Sequence, residues 1–251
     1  MTLLVLVGLL QIGADAVSVD DFLDELARMR TELRALEARL VMENITPEER
    51  VESTGTVLYV RPQRIVFRIL TPSGDSVAQV FLVDKSRIYE YDAEIRQLQI
   101  YDRDDNREME ALFAAFESDP KILRRQYEIE LFEPGDASDR SVQGIMLRHK
   151  ESEQGGENLF ERVRVYLRAG DLLPTRIHII NDADSEAILN LDDLEVNPPI
   201  EPYADRIAVP KGVKVIENEE RVRTVRKEVE YIPEPAGGEA SNESSHAPEA
   251  E

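Results

Sequence analysis

The sequence predicts a mainly-β domain with a few helices. From Val51 onward, apolar and polar residues alternate with period two in short runs. Turn signals rich in Pro, Gly, Asp and Ser separate those runs, the pattern of an antiparallel meander. Only two stretches, one near the start and one mid-chain, switch to helical period.

The elements follow in order. Ser18 caps a helix that opens with Asp20 and Asp21, acids suited to a positive helix N-terminus. Phe22, Leu26, Met29 and Leu33 then recur at helical spacing. Leu36 and Leu40 would extend that series as a heptad. However, Leu36, Ala38, Leu40 and Met42 also alternate with Glu37, Arg39, Val41 and Glu43, so the helix is predicted to stop near Leu33 and a strand to follow. Further strands are predicted over 55–61, 64–70, 77–83, 87–91 and 97–101. Met109, Leu112, Phe113 and Phe116 lie at i, i+3, i+4, i+7, which predicts an amphipathic helix ending before Pro120. Strands resume over 127–132, 142–149, 160–168, 175–181 and 187–196.

The domain plan has three parts. Residues 1–16 read as a secretory signal: an apolar run from Leu3 to Leu10, then the small-residue site Ala14-Asp15-Ala16, with cleavage near Ala16. No Lys or Arg precedes that run, and the rival reading is a buried N-terminal element. Residues 17–216 form the predicted folded domain. Residues 217–251 are expected to be an acidic, disordered tail, because their end is rich in Pro, Gly, Ser and Glu with little to bury.

Charge narrows the function. Asp plus Glu number 51 against 30 Lys plus Arg, for a formal net charge of −21. Such a surface repels phosphate backbones and anionic headgroups, so no nucleic-acid partner is expected. Self-repulsion favours a monomer. The chain has no cysteine, which excludes thiol catalysis, disulfides and cysteine metal sites.

Catalytic motifs are few. There is no nucleophile elbow, phosphate-binding glycine loop or His-Glu-x-x-His. His149 and His178 fall in predicted strands and His246 in the tail. Asp102, Asp104, Asp105 and Asn106 form one oxygen-rich cluster, and Asp182, Asp184 and Glu186 another. Neither completes a calcium loop, and both read as solvated turns. No catalytic residue, metal or cofactor is therefore expected; a carboxylate enzyme built on Asp102 or Asp104 is the weaker alternative. The apolar inventory is more telling. Val57, Leu58, Tyr59 and Val60, like Val80, Phe81, Leu82 and Val83, place apolar residues on both sheet faces. Either the sheet packs solid, or a curved sheet with few helices encloses a cavity.

The order of parts resembles a known family. After the signal, helix and strand come "GTVLYVRP" at 55–62, "RIYEYD" at 87–92, the amphipathic helix ending in "SDP", "YEIEL", and the closing "LPTRI", "LEVNPP" and "VPKGVKVI". The sequence is similar to the LolA-like outer-membrane lipoprotein-sorting family, over most of 17–216. That resemblance implies an unclosed, strongly curved antiparallel β-barrel with helices covering its mouth. It implies a periplasmic carrier that binds the acyl chains of lipoproteins in a hydrophobic cavity. It also implies an inner-membrane ABC transporter as donor and an outer-membrane acceptor as receiver. The same scaffold serves lipid-binding envelope sensors and glycolipid carriers, which stay as alternatives.

The resemblance also implies roles for residues. Arg61 matches an arginine that points into the barrel and bonds the lid backbone, a latch; the plainer reading is an exposed turn arginine. With Arg61 inward, Val57, Tyr59, Ile65, Phe67 and Ile69 would line the cavity, and Arg64 and Arg68 would face water. Phe81 would join the wall. Tyr89 and Tyr91 are wall residues or ordinary cross-strand packing. Met109, Leu112, Phe113 and Phe116 would form the lid helix. The chain departs from the family pattern in having Asp92-Ala93 after Tyr91, no tryptophan, and the acidic tail.

Overall fold

The computed structural model describes residues 18–231 except 63, 85, 103–106, 117–118, 135–141, 151–159, 182–183, 202–203, 219–220 and 226–228. Residues 1–17, which include the segment read as a signal, and residues 232–251 lie outside the described residues.

Helix α1 spans Val19–Met29. The Ser18 hydroxyl accepts the Asp21 amide at 3.1 Å, satisfying one open donor of the first turn. Strand β1, Ala35–Ile45, then begins the sheet. Strand β2, Arg50–Val60, folds back on it in unbroken register from Ala35↔Val60 to Ile45↔Arg50. Strands β3 (Arg64–Leu70), β4 (Val77–Val83), β5 (Arg87–Asp92) and β6 (Gln97–Asp102) continue the antiparallel meander.

Two helices interrupt it: α2, Arg107–Phe116, and α3, Pro120–Gln126. Sequence periodicity missed α3, which is too short to show a repeat. Its signal was local: Asp119 caps it, accepting the Lys121 amide at 2.8 Å, and Pro120 occupies its first turn. Strands β7 (Tyr127–Phe132), β8 (Val142–His149), β9 (Arg162–Arg168), β10 (Pro174–Ile180) and β11 (Glu186–Val196) form the second meander. β11 pairs antiparallel with β1 and joins the two meanders into one curved, unclosed sheet.

The folded part continues past 216, contrary to the predicted tail boundary. β12 (Ile207–Val209) pairs with β15 (Val229–Tyr231) in a separate two-stranded sheet. β13 (Lys214–Glu217) lies parallel to β6, and β14 (Arg221–Thr224) closes that edge of the main sheet. The apolar positions of this segment are too few and too short to show a period; Ile207, Val209, Val213, Val215 and Val225 are buried only against another part of the chain.

Two apolar layers result. The inner face of the sheet packs with α1, α2 and α3 into one cluster. The outer face of β2–β6 supplies Leu58, Val66, Leu82, Tyr89, Leu98 and Ile100 to a second cluster, roofed by Ile207, Val209, Val213, Val215 and Val225. This explains why several strands are apolar on both faces: each face has a cover. Arg64 and Arg68 consequently do not face open water. Arg64 pairs with Asp205, and Arg68 donates to the Ala204 carbonyl.

Asn197 fastens the start of the sheet. Its side-chain oxygen accepts the Arg34 and Ala35 amides at 2.7 and 3.1 Å, and its amide nitrogen donates to the Glu32 carbonyl at 3.1 Å. The "LEVNPP" stretch therefore holds the α1–β1 link against the end of β11.

Candidate functional site

The site is built from strand alternation. In the β2–β3 register Val57 faces Phe67, and Tyr59 faces Ile65. These four and Ile69 share the inner face and lie in the helix-covered cluster. Gly55 faces Ile69, and a Cβ there would stand 2.0 Å from the Arg68 carbonyl oxygen, so only glycine admits this close approach of β3. Phe81, opposite Phe67, packs partly buried against the same cluster.

Leu112, Phe113 and Phe116 of α2 meet that face, and the Phe116 ring stacks on Tyr59 with centroids 5.3 Å apart. α1 adds Phe22, Leu23 and Leu26, and α3 adds Leu123. Met109 lies on α2, but its side chain falls outside the described residues. Helix side chains thus cover the apolar face, and its members Val57, Tyr59, Ile65, Phe67 and Ile69 are buried. Tyr89 and Tyr91 are not brought to this face. Ile88 takes the inward position on β5, so alternation turns Tyr89 and Tyr91 to the outer cluster. Of the two readings open for these tyrosines, packing is the one the fold adopts.

The arginines divide differently from the sequence expectation. Arg61 sits exposed at the β2–β3 corner, not inside the barrel. It does bond the helix layer: its guanidinium donates to the Thr31 carbonyl at 3.0 Å and the Arg30 carbonyl at 3.3 Å, just past the end of α1. The buried arginine is Arg30, 2% exposed. Its two terminal nitrogens reach the Ala115 carbonyl of α2 at 3.1 Å and the Leu172 carbonyl at 2.8 Å. A cation is favoured at such a place because the last carbonyls of a helix carry partial negative charge. Sequence reading passed over Arg30, since an arginine at a helix C-terminus usually lies in solvent. Nothing local marks it as buried.

A half-buried acid stands on the inner side. Glu90 alternates with Ile88 on β5 and faces Phe81 and Gln99 in register. Burial, and secondarily the charge of Asp92, pushes its carboxyl above the ordinary value of 4.5. A raised folded-state value means ionised Glu90 disfavours folding at neutral pH. The loss is recovered as pH falls through the raised value towards the unfolded one. Glu90→Gln should therefore raise the melting temperature at neutral pH, with the gain vanishing below the ordinary carboxylate range. Melting curves across pH check this.

The remaining candidates are scattered. Asp102 accepts a hydrogen bond from Asn218 at 2.9 Å. Asp104, Asp105, Asn106 and Asp182 lie outside the described residues, as does His246. His178 bonds Glu186 at 2.8 Å, and His149 packs edge-on to Tyr127 and Phe160. Among the described residues no group of three or more His, Asp or Glu is placed to hold a metal ion. No helix among them is long and apolar enough to cross a membrane.

Residues 35–204 match the family model described as outer membrane lipoprotein carrier protein LolA, and the chain belongs to that family. Solved structures are similar to this chain at low identity. An uncharacterized conserved protein from Thermus thermophilus is 14% identical, with 80% of this chain and 99% of that one covered and a TM-score of 0.49. A LolA superfamily protein from Nitrosomonas europaea is 10% identical, with 74% and 96% covered and a TM-score of 0.39. MucB in the Pseudomonas aeruginosa MucA/MucB complex is 16% identical, with 72% and 58% covered and a TM-score of 0.41. No match was found among curated proteins.

Proposed function

We propose that this protein is a periplasmic carrier that takes the acyl chains of lipoproteins between the inner sheet face and its helices. It would receive them from an inner-membrane ABC transporter and deliver them to an outer-membrane acceptor. One observation supports this most: a continuous apolar face whose helical cover is tied down by Arg30 and Arg61 through side-chain bonds to backbone carbonyls.

The magnitudes suit exchange. Burying one sixteen-carbon acyl chain gains about 12 kcal/mol at about 0.8 kcal/mol per CH₂. Withdrawing Leu112, Phe113 and Phe116 from the sheet forfeits about 2 kcal/mol each. Losing the two buried Arg30 bonds adds about 1.5–3 kcal/mol apiece. Two acyl chains therefore outweigh the cover, and a receiver needs only equal burial to take them. No bond is made or broken, so no catalytic group is required. The segment 1–16 would direct export and be removed near Ala16.

The test is native mass spectrometry of the full chain, expressed with export to a bacterial periplasm and incubated with a triacylated lipopeptide. The expected result is a mature mass beginning near Val17 and a one-to-one complex that releases its cargo to acceptor vesicles. A chain that stays free of lipopeptide would overturn the reading. A complex that forms but never releases would replace the carrier with a lipid-binding sensor.

A further inference from the structure

Strands β8, β9 and β10 read VQGIMLRH, RVRVYLR and PTRIHII. They contain no aspartate or glutamate, in a chain with 51 acids against 30 lysines and arginines. Ile145, Leu147, Val163, Val165 and Ile177 occupy their inner face. Alternation therefore turns Arg148, Arg162, Arg164, Arg168, Arg176 and His178 outward. The flanking strands are acidic: β7 carries Glu128 and Glu130, and β11 carries Glu186, Asp192, Asp193 and Glu195.

Neighbouring carboxylates neutralise part of this strip. Arg148 pairs with Glu130 at 2.6 Å, Arg168 with Asp171 at 2.5 Å, Arg162 with Glu161 at 3.5 Å and His178 with Glu186 at 2.8 Å. Arg164 and Arg176 remain. Both are partly exposed, and neither bonds a carboxylate among the described residues. Arg164 lies in register between Met146 and His178. Arg176 lies opposite Tyr166, its guanidinium 5.3 Å from the ring centroid, and its Nε makes no hydrogen bond.

The spacing selects a partner. Arg164 faces His178 and Arg176 faces Tyr166, so the two arginines are diagonal neighbours, about 7–8 Å apart. Carboxylates two residues apart in an extended chain are separated by about 6.7 Å. The strip is three strands wide, about 10 Å between its outer strands, with acids on both sides. A flat anionic membrane would meet those flanking acids and the whole net charge of −21. A single extended chain touches the strip alone. We propose that the outer face of β8–β10 docks an extended acidic segment of a partner protein, with alternate carboxylates on Arg164 and Arg176. This surface lies on the opposite side of the sheet from the acyl site, and its use does not depend on acyl uptake.

The experiment titrates the full chain at low salt with a fluorescently labelled peptide alternating glutamate and serine. Saturable binding that weakens with added salt is expected. The Arg164→Glu/Arg176→Glu double variant should bind about tenfold more weakly or worse, with lipopeptide uptake unchanged. Reversing the exposed Arg50 of β2, which pairs with Glu43, should leave peptide binding as it was. Where charge reversal costs the fold, Arg164→Gln/Arg176→Gln supplies the same comparison. The proposal fails when the parent chain ignores the peptide or when the double variant binds it equally well. It also fails when phosphatidylglycerol vesicles bind through the same two arginines, which would put a membrane on this face.

Discussion

Replacing Ile65 with glutamate should leave the chain largely unfolded at neutral pH. Ile65 is 0% exposed and lies between Tyr59 of β2 and Val83 of β4, beneath the helices. The adjacent arginines of its own strand, Arg64 and Arg68, turn to the other face, where they bond Asp205 and Ala204. A new carboxylate would thus gain no partner from the arginines of its own strand. An unpaired buried acid costs about 4 kcal/mol or more, and the lost isoleucine burial adds about 2 kcal/mol. Together these consume a large part of the roughly 5–15 kcal/mol that holds a domain folded. Ile65→Val, which keeps the shape, should cost only about 1 kcal/mol. Circular dichroism and thermal melts of the two variants check the contrast. An Ile65→Glu chain that melts like the parent would mean that Ile65 borders open space, and the packed account of this face would fall.

The strands were legible in the sequence because each carries its own period. Predicted 64–70 and 77–83 are the observed β3 and β4, and the ordered run Val57, Tyr59, Ile65, Phe67, Ile69 does share one face. Alternation is a local property, and the chain states it locally. What the sequence left ambiguous was long-range. Tyr89 and Tyr91 carry the same alternation whichever face is inward, and only the placement of Ile88 in the helix-covered cluster decides. Residues 217–231 read as the start of a tail, because the pairing of β14 with β13 and of β15 with β12 becomes visible only in the fold. Arg30 is the sharpest case. Its partners, Ala115 and Leu172, stand 85 and 142 residues away, and both offer backbone carbonyls that any residue would supply. No residue pattern can announce such a contact.

Arg30→Met should therefore have the second-largest effect, larger than the same change at Arg61. Arg30 joins three parts: the end of α1, the end of α2, and the turn before β10. Its removal leaves two carbonyls without their charged donors, at about 1.5–3 kcal/mol each. Relief from burying a cation returns part of that. A net loss near 3 kcal/mol would lower the melting temperature by about 10 °C, at about 2–4 °C per kcal/mol for a domain of this size. Arg61 makes bonds of similar length, 3.0 and 3.3 Å, but it is exposed, and water competes for the same carbonyls. Arg61→Met should cost about 0.5–1 kcal/mol, a shift of about 4 °C or less. The two variants also separate stability from gating. Untying Ala115 frees the end of α2 next to Phe116, whose ring stacks on Tyr59. On the carrier reading, Arg30→Met should take up acylated lipopeptide faster than the parent despite its lower melting point. Slower uptake in step with lost stability would make Arg30 a structural tie and nothing more. A larger melting shift in Arg61→Met would return the latch to the corner arginine that the sequence motif singles out.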